Sequence, residues 1–202
     1  GYVLNQFSMD EYDGYFRIAV TDNSDMAFDC NGDVCSATTS SSQQANSLYT
    51  YKLGNGNPKL AGSLKGLGAT EQIYAVRFIQ YKAFVVTFLQ GDPLFAIDLH
   101  DQTQPLLKGE LKVPGFSNYL HPMSNGYLIG IGQSADANGN INGMALSLFD
   151  VQDLSDPKLV QKLKIGNSGT SSEAQYDHHA FRYIPETQQL VIPVDLYNNN
   201  YE

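Results

Sequence analysis

Apolar and polar residues alternate along much of this chain with a period of two. Phe16, Ile18 and Val20 fall on one face of the segment YFRIAVTD, the spacing of a strand with one apolar side. Leu107, Gly109, Leu111 and Val113 do the same, with Lys108, Glu110 and Lys112 between them. Leu159, Gln161 and Leu163 share one parity in KLVQKLKI, where the glutamine weakens the apolar face. Short continuous apolar runs lie between these segments: LYTYKL, KAFVVTFL, PLFAIDL, GYLIGIG and QLVIPV. They read as further strands, punctuated by turn residues such as the HDQTQP of 100–105. A helix needs apolar residues three and four apart, and 107–113 does not supply them.

The pattern also comes back. DLHDQTQPLLKGELKV (98–113) returns as DVQDLSDPKLVQKLKI (150–165) without a gap. Asp98, Asp101, Pro105, Leu107, Leu111 and Lys112 recur as Asp150, Asp153, Pro157, Leu159, Leu163 and Lys164. A weaker copy, PKLAGSLKG, starts upstream at Pro58. Ahead of these hairpins, Glu71 and Tyr74 recur as Glu173 and Tyr176, and Tyr119 takes the slot of Tyr74 in between. Each unit then holds four short strands in up-and-down order. Units of roughly 40–50 residues built this way predict an all-β propeller. The chain holds about three and a half four-stranded antiparallel blades. Blade 1 covers 1–68 with a polar, Ser/Gln-rich loop insertion at 23–46. Blade 2 covers 69–115 and blade 3 covers 116–168, with its own loop at 134–143. A partial fourth blade covers 169–202, its first strand being EAQYDHHAFR. Open sheet faces and edges are costly. The sequence therefore reads as an excerpt of a longer protein, with further blades or a self-association partner covering them.

Composition narrows the classes. The net charge of −9 argues against nucleic acid, whose phosphates need a basic surface. No run of 18 apolar residues is present to insert in a membrane, and no signal-peptide pattern is visible. The G-x-S-x-G elbow, the P-loop and the dinucleotide glycine fingerprint are missing from the sequence.

Taken together, NQFSMDEYDGYFRIAVT (5–21), IYAVRF with AFVVTF and DPLFAIDL (73–99), GELKVPGFSNYLHP (109–122), LIGIG (128–132), LSLFDVQDLSDP (146–157) and EAQYDHHAF (173–181) carry a family likeness. In these segments the chain resembles secreted bacterial and archaeal proteins with a β-propeller domain distantly related to WD40 repeats. The resemblance implies an extracytoplasmic propeller, whether secreted, periplasmic or at the cell surface. That family has no characterised activity, so no catalytic residue is carried over. The absence of Trp sets the chain apart from WD40, kelch and quinoprotein blades. The expected function is a non-catalytic binding or interaction module for a protein or carbohydrate ligand. The alternative is the propeller of a secreted hydrolase or peptidase, with its site at the channel mouth or in a flanking domain.

Few residues carry site chemistry. Cys30 and Cys35, the two cysteines, flank the turn dipeptide Asn31-Gly32; in an exported protein they predict a disulfide. His121, His178 and His179 fall in inner-strand segments and, with Asp177 and Glu173, are candidates for a metal or ligand site at the channel mouth. On a strand, His178 and His179 would point to opposite sides, so one of them would face the channel. Asp136, Asn138, Asn140 and Asn142 alternate acceptors as calcium loops do, but the EF-hand glycine position holds Ile141 and the closing acid is Ser147. A hairpin loop is the simpler reading: no cofactor is expected, and calcium is the alternative. Asp22, Asp25, Asp29 and Asp33 form a similar acidic loop. Asp10, Glu11 and Asp13 would need a spatial partner to act as a glycosidase pair.

Overall fold

Turn residues send the chain back on itself at regular intervals. The computed structural model describes residues 1–22, 26–31, 34–39, 45–88 and 92–198. β1 (Met9–Tyr12) and β2 (Tyr15–Asp22) are followed by an inserted hairpin of β3 (Met26–Asn31) and β4 (Val34–Thr39). β5 (Ala45–Lys52) and β6 (Lys59–Leu67) then complete a first sheet of order β1-β2-β5-β6. The second sheet comprises β7 (Gln72–Ile79), β8 (Lys82–Phe88), β9 (Asp92–Asp98) and β10 (Leu106–Val113). The third comprises β11 (Phe116–Pro122), β12 (Tyr127–Ala135), β13 (Ile141–Asp150) and β14 (Lys158–Ile165). β15 (Arg182–Ile184) pairs with β16 (Gln189–Val191) at the end. All pairings are antiparallel. These are the expected meanders of a β-propeller, stacked face to face.

The period of two is what stacks them. In the second sheet, Ala83, Val85, Phe95 and Ile97 face back into a core shared with Ala19, Leu48 and Leu67 of the first. Their neighbours Phe84, Val86, Leu94 and Ala96 face forward into a core with Leu120, Leu128 and Phe149 of the third. Ile131 and Tyr119 of the third sheet then face Ala174, Phe181 and the last strand pair. A middle blade is therefore apolar on both faces, which is why KAFVVTFL and PLFAIDL show no alternation. The first sheet differs. The buried positions of β2 are Arg17, Ala19 and Thr21, and the alternating set Phe16, Ile18, Val20 lies half-exposed on the opposite face.

The outer strands correct the simple parity reading. Each carries an extra residue at a corresponding point, Ala61 in β6, Lys108 in β10 and Val160 in β14, and β6 carries a second at Gly66. A bulge of this kind reverses which face the next residues take. Leu107 is thereby separated from Gly109 and Leu111, and Leu159 from Gln161 and Leu163. Leu159 packs back against the second–third core, while Leu163 is half-exposed. Inner strands bulge as well, at Tyr74 and at Asn118. The ladder therefore aligns Tyr74 with Asn118, one residue off the expected match to Tyr119.

The bulges bring a repeated contact into register. A Cβ on Gly62 would lie 2.7 Å from the Gln102 carbonyl and from Pro105 Cδ. One on Gly109 would lie 2.3 Å from the Leu154 carbonyl and 2.7 Å from Pro157 Cδ. The β9–β10 turn thus seats on the outer strand of the blade before it, and the β13–β14 turn does the same one blade on. The recurring aspartates hold those turns. Asp101 Oδ1 accepts from the Thr103 N–H and hydroxyl at 2.9 and 2.6 Å, and Asp153 Oδ1 accepts from Ser155 in the same way.

Two boundaries move. The insertion in blade 1 contains the β3–β4 hairpin, and β5 already includes Ala45 and Asn46. The expected first strand of blade 4 is replaced by 3-10 turns at Glu173–Gln175 and His178–Ala180. Side chains do this. Ser172 and Gln175 form a capping box, and Asp177 accepts from His179 N–H, so local bonds outcompete a strand ladder.

Candidate ligand cleft at the inner strands

The first strand of each sheet is the innermost, and its side chains meet those of its neighbours. Asn5 caps the 3-10 turn Gln6–Ser8, which places Phe7 against β7 and β11. The Arg77 guanidinium lies 3.9 Å from the Phe7 ring centre and 5.2 Å from that of Tyr119. Its Nε donates to the Leu120 carbonyl at 2.8 Å. Phe7 also meets His178 edge-on at 5.1 Å and Tyr119 at 5.5 Å. Desolvation pulls the Arg77 pKa down from its ordinary value. Inverse effects act on Tyr119, whose phenol is raised by burial and partly restored by the Arg77 charge.

His121 occupies the position in β11 that Arg77 occupies in β7. It stacks on Phe181 at 4.4 Å and takes Tyr119 Oη within 3.2 Å of its Nδ1. Burial, and then the Arg77 charge, lower its pKa, so it is neutral at neutral pH. Sequence reasoning missed Arg77 and Phe7. The signal for Arg77 was its alignment with His121, hidden by the bulges.

His178 and His179 sit on a turn, not on a strand, so they do not point to opposite sides. Their rings lie 4.0 Å apart. Among the described residues, the His/Cys/Asp/Glu group close enough to share an ion is Asp177, His178 and His179, with ligand atoms within 4.8 Å of one another. His121 and Glu173 are outside it. The other candidates serve their own loops. Asp136 accepts from the backbone of Asn138 and Asn140, each at 2.9 Å, and from the Asn140 side chain at 3.2 Å. That closes a hairpin, and the Asn140 and Asn138 bonds lower the Asp136 pKa. Asp10 pairs with the fully buried Arg17 at 2.7 and 2.5 Å, and Asp13 accepts from Tyr81 Oη. Asp22 accepts from Tyr49 Oη. Cys30 and Cys35 face each other in the backbone register of β3 and β4; their side chains, with those of Asp25, Asp29 and Asp33, lie outside the described residues.

Beside the triplet a cleft of about 490 Å³ opens between the inner segments of the four blades. Tyr2, Leu4, Asn5, Gln72, Tyr74, Asn118, Gln175 and Tyr176 line it, with no charged side chain among them. Gln175 Nε2 donates to Asn118 Oδ1 at 2.9 Å, so part of the wall is fixed from within. Tyr176 stands 79% exposed at its lip.

A model of the Beta propeller domain family matches residues 1–202. The chain belongs to the Beta propeller domain family. The propeller is 38% identical over 201 residues to an uncharacterized protein of Methanocaldococcus jannaschii, a match covering 100% of this chain and 28% of that one. An uncharacterized protein of Archaeoglobus fulgidus is 38% identical over 181 residues, or 90% of the propeller chain and 24% of its own length. The chain thus spans about a quarter of the length of the curated relatives it matches.

Proposed function

We propose that this propeller is a non-catalytic binding module of an exported protein, and that its ligand is a neutral, polyhydroxylated molecule such as an oligosaccharide. The observation that carries the reading is the uncharged cleft. Its size falls in the usual range for small-ligand sites. Tyrosine faces offer apolar contact to a sugar ring, and carboxamides offer both donors and acceptors to hydroxyls. The acidic charge of the whole chain gives no attraction for an anionic ligand. Export is supported by the likeness to secreted propellers and by the facing backbone positions of Cys30 and Cys35, a pair that an oxidising compartment would link. Mass spectrometry of unreduced protein should then show that link.

Titration of the chain against a panel of neutral oligosaccharides tests the ligand class. Binding should be lost in Tyr176→Ala with unchanged melting, since Tyr176 is mostly exposed. Affinity untouched by Tyr176→Ala and Gln72→Ala, or no binding across the panel, would sink the reading. The relatives' greater length favours a second arrangement, a hydrolase or peptidase domain elsewhere in the full protein with this propeller presenting its substrate. Turnover by full-length protein with none by residues 1–202 would support that arrangement.

A further inference from the structure

We propose that Asp177, His178 and His179 form a site for a divalent first-row transition metal, with zinc or nickel the best fit. The site uses side chains other than those of the cleft and stands or falls separately from it. The argument begins with the backbone. On a strand, consecutive histidines diverge, but on the 3-10 turn His178–Ala180 the two rings are 4.0 Å apart and tilted by 38°. His179 Nδ1 lies 2.8 Å from one carboxylate oxygen, Asp177 Oδ1, and His178 Nδ1 lies 4.0 Å from the same atom.

The three groups are already held in place. Asp177 Oδ1 accepts from the His179 backbone N–H at 2.9 Å, which fixes the carboxylate over the turn. The His178 ring is wedged edge-on against Phe7, with Gln6 Nε2 3.3 Å from its Nδ1. A ligand set fixed by outside contacts loses less entropy on binding an ion. Two ligand atoms on a tetrahedral zinc lie about 3.3 Å apart, given bonds of about 2.0–2.1 Å. The observed spread, within 4.8 Å, closes with small rotations of side chains that face water. His179 is 80% exposed.

The donor set names the class of ion. Imidazole nitrogen suits zinc, nickel, copper and iron, and one carboxylate is compatible with all of them. Calcium wants six to eight oxygens, and this turn offers too few. With the ion on Nδ1, His179 would carry its one ring proton on Nε2, and the ion's remaining positions would face outward, open to water or to a donor from a bound partner.

The test uses tag-free chain 1–202 dialysed against chelator, titrated calorimetrically with zinc chloride and with nickel chloride in two buffers of different protonation enthalpy. One equivalent should bind. His178→Gln and His179→Gln should each weaken binding by about tenfold or more, since even outer contacts of metal ligands are worth 10–100-fold. Glu173→Gln, outside the group, should bind as the parent does. A melting curve for each variant guards against misfolding, and His179→Gln, on an exposed ring, keeps the parent's. Absence of saturable binding to millimolar metal, or binding that survives both histidine variants, overturns the proposal. Neither result touches the oligosaccharide reading, which Tyr176→Ala probes.

Discussion

Arg17 shows how much a single polar residue does at a blade interface. It is fully buried between the first two sheets, with a bidentate bond to Asp10, a bond from Nη1 to the Gln80 carbonyl, and the rings of Tyr12 and Phe78 at 5.3 and 5.1 Å. Asp10 is partly exposed, so water screens some of the loss when the pair is broken. Arg17→Met should cost about 2–4 kcal/mol in urea unfolding, below the upper range for breaking a fully buried pair. His121 works in the other direction. Its lowered pKa means that the unfolded chain takes up its proton at a higher pH than the folded one. The stability linked to His121 is complete above about pH 6.5 and is lost as pH falls from there toward the folded value. Asp101 and Asp153 also contribute, through bonds from the Thr103 and Ser155 hydroxyls and N–H groups that lower their pKa values; that share is lost only near and below pH 4. The melting temperature should therefore fall in two stages on acidification. His121→Gln should remove the upper stage and leave the lower. A single transition, unchanged in His121→Gln, would contradict this account.

The element that makes the blades stack is the outer strand with its bulge and its glycine. Ala61 and Lys108 are the extra residues, and Gly62 and Gly109 follow them as seats for the next blade's turn. Gly109→Val has to push against the Leu154 carbonyl, and should destabilise by roughly 1–3 kcal/mol, the range for overpacking. Gly54→Ala meets nothing within 4 Å and should stay within about 0.5 kcal/mol. Equal effects of the two in thermal melts would mean that the turn does not seat on the glycine. The third outer strand breaks the pattern: after its bulge at Val160 comes Gln161, not glycine. Gln161 and Leu163 instead line a groove of about 740 Å³ with Ile129, Leu146, Tyr183 and Leu190. The contact repeated between blades 1–2 and 2–3 is therefore not available in the same form at the next boundary.

At the scale of the whole molecule, the two end faces of the stack are its open ones. Phe16, Ile18, Val20, Tyr49 and Tyr51 share the outer face of the first sheet, half-exposed, and the groove beside Leu163 lies at the other end. Apolar sheet faces of this kind bind other surfaces. Residues 1–202 made alone should scatter light as a species heavier than the 22.2 kDa chain. Tyr51→Lys should shift it toward monomer, and a monomer in the parent at high concentration would show these faces to be self-sufficient. The division between sequence and tertiary structure follows from range. Period-two alternation, the aspartate turns and the repeat of 98–113 in 150–165 are local or copied, so four-stranded units and a propeller were legible in the residues alone. The bulges at Ala61, Lys108 and Val160 were not, because a bulge residue has no letter of its own and shows only in what its neighbours pair with. His178 and His179 read as strand residues until Ser172, Gln175 and Asp177 were seen to hold them in turns. The cleft was invisible for the same reason: Tyr2, Tyr74, Asn118 and Tyr176 are far apart in the chain, and only packing of the inner strands brings them to one wall.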